Sequence, residues 1–325
     1  MHLTPGAVLL VLVALAFAWS MGAHYTGACM GMPYGSGSIR LQPALWLMAA
    51  MALGGAVLGS HRVEATVGRG IVAGPGMGVG AALVVVAVAF LLTTVYTYRR
   101  IPTSTIQLLV FSLVGAALAL GQRVDWGSIL RLAILWALAP PVAGLLGYAF
   151  TRLGDRVLPA SEKGAGARAL RTAATVLVVV GAAASFTMGA NDVSNATGPL
   201  IMSGVMGLWL AGAVGGIGLA VGVVTWGKPL LRTVAFDVVR VDLTMASAAQ
   251  GVQALVVLVA VSLGYFTSMN QALLGAMAGA GLARGQDTVR WQTIAGIVRG
   301  WLVGPPSGFA LAFAAMLALR SMGWS

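Results

Sequence analysis

Cysteine is almost absent from this chain. Cys29 stands alone, which excludes an intrachain disulfide and any cysteine-based metal cluster. Histidine is scarce too, and His2, His24 and His61 are too scattered to give metal-ligand spacing. Charged residues make up only 8% of the sequence, too few to cover a water-soluble domain. With no nucleophile–base pair and no ligand cluster, the reading is not an enzyme and no cofactor is expected. The first charged residue is Arg40, so no basic segment precedes the opening apolar run, which reads as a retained span rather than a cleaved leader. A net charge of +11 would suit nucleic acid. The cations fall between apolar runs, however, where they report topology, and no nucleic-acid partner is expected.

What the chain has is apolar surface: 59% hydrophobic residues and a mean hydropathy of +0.92. Runs of spanning length recur from end to end, at about 6–20, 43–60, 76–95, 104–121 and 128–150, then at about 172–187, 205–224, 245–264, 268–283 and 293–320. The expected fold is an all-α polytopic membrane protein embedded in a lipid bilayer. Residues 1–150 form a first transmembrane repeat, 151–171 a charged linker without hydrophobic period, and 172–325 a second repeat. Small-xxx-small steps such as Gly55/Gly59, Gly218/Gly222 and Gly275/Gly279 suit close helix packing.

The halves are copies. Residues 21–37 (MGAHYTGACMGMPYGSG) match 188–204 (MGANDVSNATGPLIMSG) at six of seventeen positions, and 102–121 match 266–285 at nine of twenty, both without a gap. Trp126 then matches Trp291, and Pro140-Pro141 matches Pro305-Pro306. Five segments per copy is an odd number, so the second copy enters the membrane inverted. Inverted repeats build many secondary transporters, with the substrate site on broken or re-entrant helices at the repeat interface. Charge counting agrees. One set of loops carries Arg40, Arg99, Arg100, Arg152, Arg156, Lys163, Arg168, Arg171, Lys228, Arg232, Arg240, Arg284, Arg290 and Arg299; the other carries only Arg62, Arg69, Arg123, Arg131 and Arg320. Fourteen against five places the linker in the cytoplasm and both termini outside.

Of eight acidic residues, seven (Glu64, Asp125, Asp155, Glu162, Asp237, Asp242, Asp287) fall in or beside breaks between apolar runs; Asp192 alone does not. An ionisable group at membrane depth is costly unless it faces a cavity or a partner. On a helix Asn191, Asp192 and Asn195 share a face, flanked by Gly189 and Gly198-Pro199, where a helix can break. These three offer oxygen ligands only, which suits Na⁺ or a proton-carrying carboxylate. The plainer alternative is a carboxylate satisfied by neighbouring helices.

A second element is Thr103-Ser104-Thr105 and its copy Thr267-Ser268, each just before an apolar helix. Hydroxyls there serve as N-caps, and two helix N-termini converging from inverted copies make an oxyanion site. Gln107 and Gln271, one turn in, can add amide donors. Ordinary capping is the competing reading. Gln250 and Gln253 are weaker candidates, for the cavity or for bonds between helices.

The run Gly189-Ala190-Asn191-Asp192-Val193-Ser194-Asn195-Ala196 resembles the signature of the inorganic phosphate transporter (PiT) family, which carries it near the start of each of two inverted repeats. The Thr-Ser-x-x-Gln elements and the Trp-then-Pro-Pro tails resemble its repeats as well. The first copy departs from that pattern, with His24, Tyr25 and Ala28 where the second has Asn191, Asp192 and Asn195. An acidic position of the family on the following helix is apolar here, near Met51. The stretch from Met30 to Gly37 resembles the bacterial branch that includes sulfate permeases. Tyr25 removes one anionic cation ligand from the symmetric pair; His24 is either a titrating group or simply hydrogen-bonded.

The resemblance implies a secondary active transporter (symporter) of inorganic phosphate, driven by H⁺ or Na⁺ through alternating access. Substrate contacts fall to Thr103, Ser104, Thr105, Gln107, Thr267, Ser268, Gln271 and Asn195, and the coupling ion, Na⁺ included, to Asp192, Asn191 and Asn195. Sulfate is the rival substrate, and a non-transporting membrane sensor or scaffold the rival from another class. A homo-oligomer is left open.

Overall fold

A computed structural model describes residues 4–73, 77–99, 101, 103–157, 166–231 and 242–322. Its helices are α1 (Pro5–His24), α2 (Thr26–Gly35), α3 (Leu41–Gly59), α4 (His61–Arg69), α5 (Val79–Tyr98), α6 (Thr105–Ala119), α7 (Trp126–Val157), α8 (Ala167–Met202), α9 (Leu208–Trp226), α10 (Leu243–Ser262), α11 (Met269–Leu282) and α12 (Trp291–Ser321). A two-residue antiparallel pairing, Val72 with Val124 and Ala73 with Arg123, ties the chain after α4 to the α6–α7 turn. Among the described residues eight helical stretches are long and apolar enough to cross a membrane. The protein is an all-α, multi-pass integral membrane protein.

The ends of these helices follow local chemistry. Thr4 caps α1 through the Ala7 N–H at 3.3 Å, with Pro5 as the first helical residue, where its missing N–H costs nothing. Asp242 caps α10 through the Met245 N–H at 2.9 Å. The two aligned stretches of each half end on glycines in the left-handed region: Gly37 with φ 75° and Gly204 with φ 71°, then Gly121 with φ 70° and Gly285 with φ 126°. Only glycine adopts that conformation cheaply, so sequence repetition and backbone repetition coincide.

Three expectations need correction. The helix does not break at Gly189 or Gly198-Pro199, because α8 runs unbroken from Ala167 to Met202 with Pro199 inside it. Gly189 serves close approach instead: a Cβ there would collide with the backbone oxygen of Ala52 on α3. In the first half the interruption falls at Tyr25, between α1 and α2. The linker is also shorter than 151–171, since α7 continues to Val157 and α8 begins at Ala167. Its middle, 158–165 with Glu162 and Lys163, lies outside the described residues, as do Arg100, Arg232, Asp237 and Arg240. Finally, segments 104–121 and 268–283 are not full spans. α6 has 15 residues and α11 has 14; at about 1.5 Å per residue each covers only some two thirds of the apolar core. Each is preceded by an extended capping residue, Ser104 and Ser268.

Helices pair across the two halves of the chain. α1 packs on α9 and α3 on α8; α6 packs on α12 and α11 on α7. The small-xxx-small steps lie at these seams: Gly55 and Gly59 face Phe186 and Ala190, Gly218 and Gly222 face Ala18 and Trp19, and Gly275 and Gly279 face Pro140 and Gly144. Gly22 and Gly189, aligned in the two copies, press on Leu219 and Ala52 in matching fashion. Without a hydrophobic driving force between helices in lipid, this backbone proximity is the source of packing energy.

Several cations are tied at helix ends: Arg320 donates to the Ala119 carbonyl at 2.6 Å and Arg62 to the Ser262 carbonyl at 2.5 Å. Arg284 bridges Asp155 at 2.7 Å and Asp242 at 2.8 Å.

Candidate functional site

The signature residues sit in the middle of α8, fully buried, with Asp192 and Asn195 at 0% exposure. Asn191 turns toward the extended chain before α11 and clamps Thr267 on both sides. Its Nδ2 donates to the Thr267 carbonyl at 2.8 Å, and its Oδ1 accepts the Thr267 N–H at 3.1 Å. That fixes where α11 starts. Ser268 then caps the helix by accepting the Gln271 N–H at 3.3 Å.

Asp192 is met by donors. Asn191 Nδ2 lies 3.0 Å from one carboxylate oxygen and Asn195 Nδ2 3.4 Å from the other. Asn195 Nδ2 also donates to Thr105 Oγ1 at 2.9 Å, and Thr105 Oγ1 is 2.8 Å from the Tyr25 hydroxyl, which itself reaches the Asp192 carboxylate. Each hydroxyl has one hydrogen. The consistent direction therefore runs from Asn195 through Thr105 and Tyr25 to Asp192, a chain of donors ending on the carboxylate. Two buried oxygens beside it, Asn195 Oδ1 and Thr267 Oγ1, have no hydrogen-bond partner in the protein. Both are oxygens of the type that hard cations take.

The first copy reproduces the clamp with different atoms. Thr97 Oγ1 donates to the Thr93 carbonyl at 2.7 Å, so it accepts from His24 Nδ1 at 2.9 Å. The His24 Nε2 lone pair is then left for the Thr103 N–H at 3.2 Å. The Thr103 carbonyl is taken by Asn270 Nδ2 at 2.6 Å. His24 thus does for Thr103 what Asn191 does for Thr267, as a neutral ring protonated at Nδ1. Ser104 caps α6 by accepting the Gln107 N–H at 3.4 Å.

The two half-helix N-termini meet. Gln107 and Gln271 exchange amide hydrogen bonds of 3.5 and 3.4 Å across the junction. Thr103, Ser104, Thr105, Thr267 and Ser268 surround them, all at 1% exposure or less. Uncommitted N–H groups and two partial positive charges therefore point at one place from opposite halves of the chain. Gln250 and Gln253 serve as ties between helices: Gln250 donates to the Ala28 carbonyl at 2.9 Å and to Gln253, which donates to the Met269 carbonyl at 3.3 Å.

Two residues escape the sequence reading. Asn270 lies beside Gln271 and supplies a junction amide; the first-turn argument applied to Gln271 applies equally to it. Glu64 does not sit in a solvated break. It is fully buried on α4 and accepts from Thr197 Oγ1 of α8 at 2.7 Å. Flanked by His61 and Arg62, it looks like a surface charge, because nothing local tells that α4 folds inward against α8.

Comparison with known proteins agrees with this geometry. A family model described as the phosphate transporter family matches residues 21–312. A sulfate permease of Bacillus subtilis, CysP, is 27% identical over 91% of this chain and 83% of its own length. The chloroplastic inorganic phosphate transporter 2-1 of Arabidopsis thaliana is 26% identical over 93% and 70%. A putative phosphate permease of Pyrococcus furiosus is 23% identical over 95% of both chains. Among solved structures, one described as the sodium-dependent phosphate transporter superposes with a TM-score of 0.91 at 21% identity, covering 98% of this chain and 100% of that one. A family of transporters rather than enzymes, matched through nearly the whole length, accounts for the paired half-helices and the buried signature together: the chain belongs to the phosphate transporter family.

Proposed function

We propose that this protein is a secondary active transporter of a tetrahedral oxyanion, with phosphate preferred over sulfate. The observation that carries this reading is the meeting of two capped half-helix N-termini at Gln107 and Gln271, beside the Asp192 carboxylate. Residues 1–150 and 172–325 act as inverted repeats about that junction. The anion is held by the backbone N–H groups of α6 and α11, the hydroxyls of Ser104, Thr105, Thr267 and Ser268, and the two glutamine amides. The coupling ion, a proton or a single Na⁺, is held by Asp192 with Asn195 Oδ1 and Thr267 Oγ1. Asn191 positions Thr267 rather than binding the ion, since both ends of its amide are engaged. Gln107 and Gln271 part to admit substrate, and the helix pairs rock around the fixed site to expose it on either face.

Phosphate near neutral pH carries at least one P–OH donor, whereas sulfate only accepts. A buried acceptor left unpaired costs roughly 1–3 kcal/mol, so an ionised Asp192 beside the anion favours phosphate. Tyr25 can donate to either anion, which weakens the discrimination. The sulfate reading has one relative in its favour, the Bacillus subtilis permease. Proteoliposome uptake of labelled phosphate, competed with sulfate, arsenate and molybdate, tests both. Phosphate uptake with partial sulfate competition is expected. Good sulfate transport that phosphate does not compete would confine Asp192 to the cation, and no uptake of either would leave a sensor or scaffold. The cation-rich end, with Arg284, is assigned to the cytoplasm and both termini to the outside. External labelling of a linker cysteine in a Cys29→Ala background would overturn that orientation.

A further inference from the structure

Asp192 is not the only buried carboxylate. Glu64 lies at 0% exposure on α4, and its surroundings differ from those of Asp192 in kind. Asp192 meets two amide donors and the Tyr25 hydroxyl, whereas the hydroxyl that meets Glu64 has a second acceptor on its own helix. Thr197 Oγ1 is 2.7 Å from Glu64 Oε1 and 3.0 Å from the Val193 carbonyl on its own helix, with one hydrogen to share between them. If Glu64 is ionised, that hydrogen goes to the carboxylate. If Glu64 is protonated, it donates to Thr197 and the hydroxyl hydrogen turns to Val193. Both states are fully bonded on that side, so adding or removing the proton leaves no orphan.

The other side of the carboxyl opens toward an imidazole. Glu64 Oε2 has no hydrogen-bond partner, and the nearest is His61 Nδ1 at 3.9 Å, whose two ring nitrogens are also without partners. The His61 side chain is 24% exposed and packs on the Trp209 ring. Its carbon edge reaches the surface while both ring nitrogens are buried, so the imidazole stands between the surface and the buried acid. α9 and α10, which pack against α4, contain no ionisable residue, and neither does the preceding α3; the Arg69 side chain at the far end of α4 lies outside the described residues. On α8 the nearest is Asp192, five residues before Thr197, and on α4 the Arg62 guanidinium is engaged with the Ser262 carbonyl. Gly212 of α9 keeps the site tight, since a Cβ there would lie 3.4 Å from Glu64 Oε1.

We infer that Glu64 is a proton-binding site distinct from the signature, loaded from the surface through His61 and read out on α8 through Thr197. The inference rests on the transport reading above, to which it adds the place where a coupling proton is carried. The step is a simple one. A proton arriving at His61 passes to Glu64 Oε2; a half-turn of the carboxyl then brings that O–H to Thr197 Oγ1, and the Thr197 hydrogen turns from Glu64 Oε1 to the carbonyl of Val193, the residue after Asp192. Burial pushes the Glu64 carboxyl up to about 7, with the Thr197 and Ser60 hydroxyls pulling it part of the way back. Loading and release then both fall near neutral pH.

Two readouts test it on the full-length protein. In infrared pH titrations of the purified protein, wild type should show a carboxylic C=O band that grows as pH falls through neutrality, and Glu64→Gln should lack it. In proteoliposomes, accumulation of labelled phosphate driven by an imposed pH gradient should fall at least tenfold in E64Q, with its pH profile flattened. If E64Q does not fold, Thr197→Val keeps the acid but removes a donor to its ionised form, and the band midpoint should rise by about one pH unit. A band and pH profile that survive E64Q, or a midpoint unmoved in T197V, overturn the proposal. A wild-type protein that carries no oxyanion overturns the transport reading instead and leaves the infrared result to judge Glu64 as a proton site.

Discussion

The two signature stretches perform one mechanical task with different chemistry. In the second half an asparagine amide grips both backbone groups of Thr267. In the first, His24 takes the Thr103 N–H and leaves the carbonyl to Asn270, borrowed from the other half. Next in sequence, Asp192 stands opposite Tyr25, and the tyrosine hydroxyl reaches back to the aspartate. The geometry that sets the two half-helices has been kept while the negative charge has been halved. Placement of the two half-helix N-termini therefore depends on hydrogen-bond shape, while the charge beside them differs, so the two can vary separately.

Substitutions at five positions would break or sharpen that comparison. The largest effect is expected from Asp192→Asn, which keeps the side-chain size, turns one acceptor into a donor and removes the carboxylate at the junction. Uptake should fall to background while the protein elutes as wild type on size exclusion; undiminished uptake would remove the charge argument altogether. Tyr25→Asp comes second. It restores an acid at the symmetric place, and the phosphate-to-sulfate preference should rise with a steeper dependence on the cation. An unchanged ratio in a transporting variant would show that the anion does not sense position 25. Third, His24→Ala should cost about 1–3 kcal/mol in thermal stability by orphaning the Thr103 N–H, whereas His24→Asn should recover most of it. Equal losses in the two variants would mean that His24 packs rather than clamps. The smallest effect is expected at the caps: Ser104→Ala and Ser268→Ala should each cost about 1 kcal/mol, and by similar amounts, as their matched geometry requires.

Much of this was legible in the sequence because it depends on local chemistry. Hydropathy marks the spans, and the small-xxx-small glycines mark seams that are indeed at backbone contact. Ser104 and Ser268 reveal themselves as caps by preceding apolar helices. What was hidden depends on partners distant in sequence. Gly189 and Gly198 suggest a broken helix until Ala52 and Val67 are seen pressing on them; the same glycines that permit a break also permit contact. α6 and α11 look like spans because hydropathy marks their apolar residues without showing how short the helices are, at 15 and 14 residues. Glu64 reads as solvated because burial of a short polar helix is decided by α8, over a hundred residues away. Asn270 was within reach of the argument made for its neighbour.

The cross-pairing of helices has a consequence for how the chain is made. α6 finds its groove on α12 and α3 on α8, so the first half leaves the ribosome with faces whose partners have not been synthesised. Its contacts are long-range, and closing them must wait for most of the chain. In the interval Thr103 lacks Asn270, and the glycine-lined seams of α1 and α3 lie open to lipid. The α3–α8 and α1–α9 seams close once residue 226 is made, whereas α7 and α6 wait for α11 and α12, so a truncation in the last third strands the faces of α6 and α7.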